Sequence, residues 1–150
     1  MSESASLLRD NYASVSRFLL SPMVDFLAAG RTAFDGDLDR ALIFLVVALR
    51  TAEHRKIEDI RLEDVLAGKV DRYPSLLTNV RSIAESTGIP RETVRRKVAA
   101  LIDKGWLERR GDELTITTLS SRENTPFREA MLDVAARLHG LIERVQATRE

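Results

Sequence analysis

Residues 81–117 read RSIAESTGIPRETVRRKVAALIDKGWLERRGDELTIT. The spacing predicts a helix over 80–86, a tight turn at Gly88, a second helix over 91–104 and a hairpin over 106–117. Ile83 faces inward, and Ala84 is small where the second helix crosses it. Gly88 stands four residues after Ala84, where the turn needs a positive φ that glycine adopts without strain. Ile89 plugs the junction. Val94 anchors the second helix, and Val98, Leu101 and Ile102 complete its inward face. Alanine, glycine and a branched aliphatic at those offsets form a compact helix-turn-helix signature. Gly105 ends the second helix. Gly111 and Asp112 form the hairpin turn, with Leu114 and Ile116 alternating inward on the returning strand.

The opposite side of the second helix carries Glu92, Arg95, Arg96 and Ala99, with Arg91 at its N-terminal end. Arginine reads guanine through two parallel hydrogen bonds, and glutamate accepts from the cytosine amino group. Arg91, Glu92, Arg95 and Arg96 are therefore the candidate base-reading residues. Thr93 and Lys97 point sideways and suit phosphates, which fix register without reading sequence. Arg109 and Arg110 at the hairpin tip suit the backbone or an adjacent minor groove. Formal net charge is zero over the chain, but residues 72–110 hold nine basic and four acidic side chains, a local excess of +5. A basic centre between acidic flanks fits a small reader of duplex DNA.

The run TGIPRETVRRKVAALIDKGWLERR resembles the recognition helix and adjoining wing of the GntR, IclR and MarR families of bacterial transcriptional regulators. The layout of helices, winged helix and long terminal helix is similar to MarR-type dimers, whose termini build the dimer interface. The resemblance implies a mainly α fold, with a winged helix-turn-helix and a two-stranded wing flanked by N-terminal helices and a long C-terminal helix. It also implies that Arg91, Glu92, Arg95 and Arg96 match base-reading positions and that Arg109 and Arg110 match the wing tip.

Three regions follow: N-terminal helices over 1–70, the DNA-binding unit over 71–119 and an amphipathic helix over 120–150. Leu8, Tyr12, Val15 and Leu19 mark one helical face. Ser21 and Pro22 read as a cap and first-turn proline, opening a short helix over 23–29 that Gly30 closes. A helix over 38–53, capped by Asp35 or Asp37, is apolar nearly all round between Ala41 and Leu49. It needs cover from its own chain or from a second copy. A short helix over 62–66 precedes Gly68, residues 72–75 are a linker, and 120–126 is a polar turn. Phe127, Met131, Val134, Leu138, Leu141 and Val145 then alternate four and three apart. That heptad seam suits helix-on-helix packing, against the partner's equivalent helix or the N-terminal helices of either chain.

The chain has no cysteine, which excludes disulfides and thiol catalysis and fits a reducing compartment. The N-terminus has neither the basic nor the apolar region of a signal peptide. The longest apolar run, 41–49, is short of the roughly 20 residues of a membrane crossing. Trp106 is expected in the core beneath the wing, and His54 and His139 on helix surfaces. No phosphate-binding glycine loop, nucleophile elbow or metal motif occurs, so neither enzyme nor cofactor is expected. The expected protein is a cytoplasmic, nucleoid-associated homodimer on double-stranded DNA, with a small-molecule effector as a further partner. The alternative is a winged-helix module that binds another protein instead of DNA.

Overall fold

The computed structural model describes residues 2–148; positions 1, 149 and 150 of the expected terminal regions lie outside the described residues. The fold is mainly helical. Helices α1 (Glu3–Asp10), α2 (Tyr12–Ala33) and α3 (Leu38–Ala52) lead through a 3-10 turn (Ile57–Asp59) to α4 (Leu62–Leu66). Then come α5 (Val80–Thr87), α6 (Arg91–Asp103), strands β1 (Leu107–Arg110) and β2 (Glu113–Ile116), α7 (Thr118–Glu123) and α8 (Thr125–Ala147).

Helix α2 lies antiparallel to α8. Phe26 stacks on Phe127 at 5.0 Å, Asp25 and Ser21 accept from Arg137 at 2.7 and 2.8 Å, and Arg144 sits 5.1 Å over the Phe18 ring. This pairing corrects the expected break at Ser21-Pro22. Helix α2 runs through Pro22, whose missing N–H leaves one carbonyl of the preceding turn without its helical donor. The ring is fully buried, and contacts to α8 on both sides of it hold the helix together.

Gly30 likewise does not end a helix. A Cβ there would stand 3.3 Å from the Phe127 ring, so glycine allows close helix approach. The chain turns later, at Asp35 (φ 56°) and Gly36 (φ 84°). A further correction concerns the first apolar face. The chain breaks at Asn11, whose side-chain amide donates to the Leu7 carbonyl, and Tyr12 is exposed while Val15 is buried.

Helix α3 matches expectation, with Asp37 as the cap: its carboxylate accepts from the Arg40 backbone N–H at 2.9 Å. Its cover is one-sided. Ala41, Ile43, Phe44 and Val47 are buried, whereas Leu38, Leu42 and Leu49 are exposed.

The hairpin pairs Leu107 with Ile116 and Arg110 with Glu113 in antiparallel register. A segment before α5 also joins it: the Leu114 N–H donates to the Thr78 carbonyl at 2.7 Å, and the Thr78 N–H donates back. Thr115 is fully buried despite its outward-facing place in the alternation, and Thr78 is buried beside the same strand. The expected polar turn over 120–126 is instead helix α7, capped by the Thr117 hydroxyl accepting from Ser120 N–H.

One hydrophobic cluster runs through all three expected regions. At its centre Phe34 meets Trp106 and Phe127 edge-on at 5.3 and 5.4 Å, and Phe44 meets Trp106 at 5.9 Å. Trp106 is buried as expected, and its indole N–H donates to Glu123 on α7 at 2.7 Å. His139 is exposed on α8.

Candidate nucleic-acid interface

Helix α5 starts at Asn79, whose side chain accepts from the Ser82 N–H at 2.9 Å. It ends at Gly88, in the left-handed region at φ 73°. The Thr87 hydroxyl donates to the Ile83 carbonyl and accepts from the Ile89 N–H, which fixes the turn on both sides. Ile83, Ile89, Val94, Val98 and Leu101 are buried and hold α6 against the body. Their burial leaves the other face of α6 in solvent. Pro90 precedes α6, and no side chain caps its N-terminus.

Arg91, Glu92, Arg95 and Arg96 all lie on the exposed side of α6. Arg95 forks onto Glu92, with donor–acceptor distances of 3.0 and 2.6 Å. The Arg95 hydrogen bond, aided by the charges of Arg95 and Arg96, holds the Glu92 carboxyl below the usual carboxylate range. Glu92 in turn raises Arg95. Both groups stand in water, where such a pair contributes little and opens readily. Arg91 and Arg96 form no ion pair within 4 Å among the described residues.

Thr93 is half-buried, and Lys97 turns inward. The Lys97 ammonium donates to Asp37, the cap of α3, with the two side chains 16% and 22% exposed. Burial alone would push the Asp37 carboxyl up. The Lys97 bond, the Arg40 N–H and the two positive charges outweigh it, and the net direction is down. Lys97 thus ties α6 to α3 and is not free for a phosphate, a correction to its expected place. Sequence spacing put Lys97 on the flank of α6; Asp37, 60 residues away, comes beside it only through the fold.

At the hairpin tip Arg109 is exposed and has no ion pair among the described residues. Arg110 folds back on Glu108 at 3.2 Å and is largely covered. Of the expected cations, Arg91, Arg96 and Arg109 remain free, Arg95 is loosely paired, and Arg110 and Lys97 are engaged.

The seam of α8 faces its own chain. Phe127 and Leu141 are buried, Val134, Leu138 and Val145 are half-buried, and Met131 is exposed. Leu141 and Val145 border a groove with Val15 and Phe18 of α2. Of the docking sites open to the seam, the helix of the same chain takes most of it. Besides Met131, the apolar residues left in solvent include Leu20, Val24 and Leu27 on α2, Leu38, Leu42 and Leu49 on α3, and Leu132 on α8.

Among the described residues no helix is long and apolar enough to cross a membrane, and no cluster of three or more potential ligands could hold a metal ion. No protein-family profile, curated protein or solved structure matches the chain.

Proposed function

We propose that the chain is a sequence-specific DNA-binding transcriptional regulator acting as a homodimer. In this reading α5, α6, the hairpin and the Thr78 bridge form a winged helix-turn-helix. Helix α6 enters the major groove, and the hairpin lies on the backbone or an adjacent minor groove. One observation carries the reading: Arg91, Arg95 and Arg96 project into solvent from a helix whose other face is locked in the core. Recognition helices meet base edges through such N-terminal residues.

The dimer rests on the leucines and valine that α2 and α3 leave exposed, at helical spacing along each helix. A two-fold axis would set the two α6 helices about one DNA turn apart on a palindromic or pseudo-palindromic site.

Fluorescence anisotropy with random duplex at low and moderate salt tests the first half. Phosphate contacts give steep salt dependence. Selection from a randomised duplex pool then tests sequence preference. Salt-insensitive or absent binding would leave the protein-interaction reading in its place. A monomer at micromolar concentration in light scattering would remove the dimer.

A further inference from the structure

An apolar cavity of about 330 Å³ opens between α3, α7 and α8, within the size range of small-molecule sites. Phe44, Leu45 and Ala48 of α3, Ile116 of β2, and Phe127 and Met131 of α8 wall it. Four polar side chains stand among these walls, Ser120, Ser121, Asn124 and Arg128; the Ser120 hydroxyl donates to the Thr117 carbonyl, and the Ser121 hydroxyl is paired with that of Tyr73. Asn124 is buried, and its side chain does not cap α8 although it occupies the capping position. Arg128 donates to the Ser121 carbonyl at 2.7 Å and to the Thr125 hydroxyl at 3.1 Å. Its Nε is buried with no acceptor. Among the described residues no carboxylate lies within 4 Å of the guanidinium.

A buried guanidinium donor is ordinarily satisfied, and a positive charge beside apolar walls lacks its counter-ion here. A carboxylate accepts from two guanidinium N–H groups at once, and Arg128 is the one cationic side chain that lines the cavity. The walls take an apolar body of modest length. From this combination we infer that the cavity binds a small apolar monocarboxylate, with its carboxylate on Arg128 and Asn124 and its tail against Phe44, Leu45 and Phe127. Ile116 lies at the foot of the hairpin and Phe127 in the central aromatic cluster, so a bound tail touches both the hairpin and the helical frame. Control of DNA affinity by this ligand rests on the function proposed above; binding of the ligand does not.

Decanoate is the probe, with decanol as its uncharged counterpart, each added to the full chain without DNA below its micelle concentration. Calorimetry is expected to show saturable decanoate binding at least tenfold tighter than decanol. Amide and methyl shifts in NMR should centre on Phe44, Ile116 and Met131 of the wild-type protein. Arg128→Gln should bring decanoate down to the decanol level and leave decanol unchanged. Ala48→Phe, which fills the cavity and keeps the charge, should remove both.

No saturable binding, equal affinity for acid and alcohol, or shifts centred elsewhere overturns the site. A cavity filled instead by a second copy would appear as a dimer that binds no decanoate, which also overturns it. A separate anisotropy titration adds decanoate to the protein–DNA complex, where a change in Kd of threefold or more is expected. Decanoate binding with unchanged DNA affinity overturns the regulatory half alone, and lost DNA binding leaves the calorimetric result standing.

Discussion

The segment from α5 through the hairpin and the α2–α8 pair handle their apolar residues in opposite ways. In the first, Ile83, Val94, Val98, Leu101 and Leu114 are fully buried and the arginines face water. In the second, Phe26 stacks on Phe127 across the helix pair and Leu141 is buried near Val15 and Phe18, yet Leu20, Val24 and Leu27 of α2 stay exposed. The first region puts its apolar face wholly into the cluster it shares with α3. The second closes one face and leaves another open. An exposed cationic surface and an exposed apolar one therefore sit on the same small frame.

The contrast can be broken at the joint between the regions. Phe127 touches Phe26 and Phe34 and limits what Gly30 can be. Phe127→Ala should destabilise the protein by about 3–5 kcal/mol, lost transfer energy plus a cavity. Chemical denaturation should show a lower midpoint for the whole chain in one transition. Two separated transitions would mean that the regions fold independently.

Next in size is the α6 face proposed above to read DNA. Arg96→Ala should cost roughly 1–3 kcal/mol for a selected site, and Arg95→Ala less, because Arg95 must first leave Glu92. Arg109→Ala should weaken all duplexes alike and reduce the salt slope by about 1 per subunit. Equal effects of Arg95 and Lys97 substitutions on DNA affinity, with stability unchanged, would undo the division of α6 into a free face and a tethered flank.

The tether has its own signature. The folded-state Asp37 carboxyl titrates below its ordinary value of 3.8. Its contribution is fully present above that value and is lost as the pH falls through the depressed folded one. Asp37→Asn keeps a capping side chain and removes the charge, so the drop in stability between pH 5 and pH 2 should be shallower than in the wild type. Asp37→Ala also loses the cap, at about 1 kcal/mol in neutral solution. Denaturation midpoints across that pH range measure both.

The smallest expected effect on stability separates the regions most cleanly. Val24→Glu with Leu27→Glu alters exposed positions and should change monomer stability by no more than about 0.5 kcal/mol. Sedimentation should nevertheless register loss of the proposed dimer. A variant that stays dimeric would move the interface away from α2.

What could be read along the chain follows the same division. Gly88, Gly105 and Gly111 have the positive φ values expected of a turn, a helix end and a hairpin turn. Val94, Val98 and Leu101 face inward at helical spacing. These are local rules, and in residues 80–117 the tertiary contacts agree with them. In α2 they do not. Proline and glycine ordinarily end helices, yet Pro22 and Gly30 sit inside one because packing on α8 outweighs local preference. The short helix α7 is not legible in the sequence because its polar run lacks a period; Thr117 caps it and Trp106 holds Glu123. Nor does anything in the neighbours of Arg128 along the chain signal an unpaired donor on a residue that lines a cavity.

The sequence by itself determined the helix-turn-helix spacing, the hairpin and the arginine face of α6, because each depends on residues within a few positions of one another. Only the tertiary structure decided which of those charges are free. Arg96 and Lys97 are chain neighbours, yet one stands in water and the other is held by Asp37. The reason is that a helix sends adjacent residues about 100° apart, and what waits on each side is set by helices distant in sequence. The same holds for α8. Its seam is legible as a packing stripe, but its docking on α2 comes from the antiparallel fit of Phe26, Gly30 and Phe127.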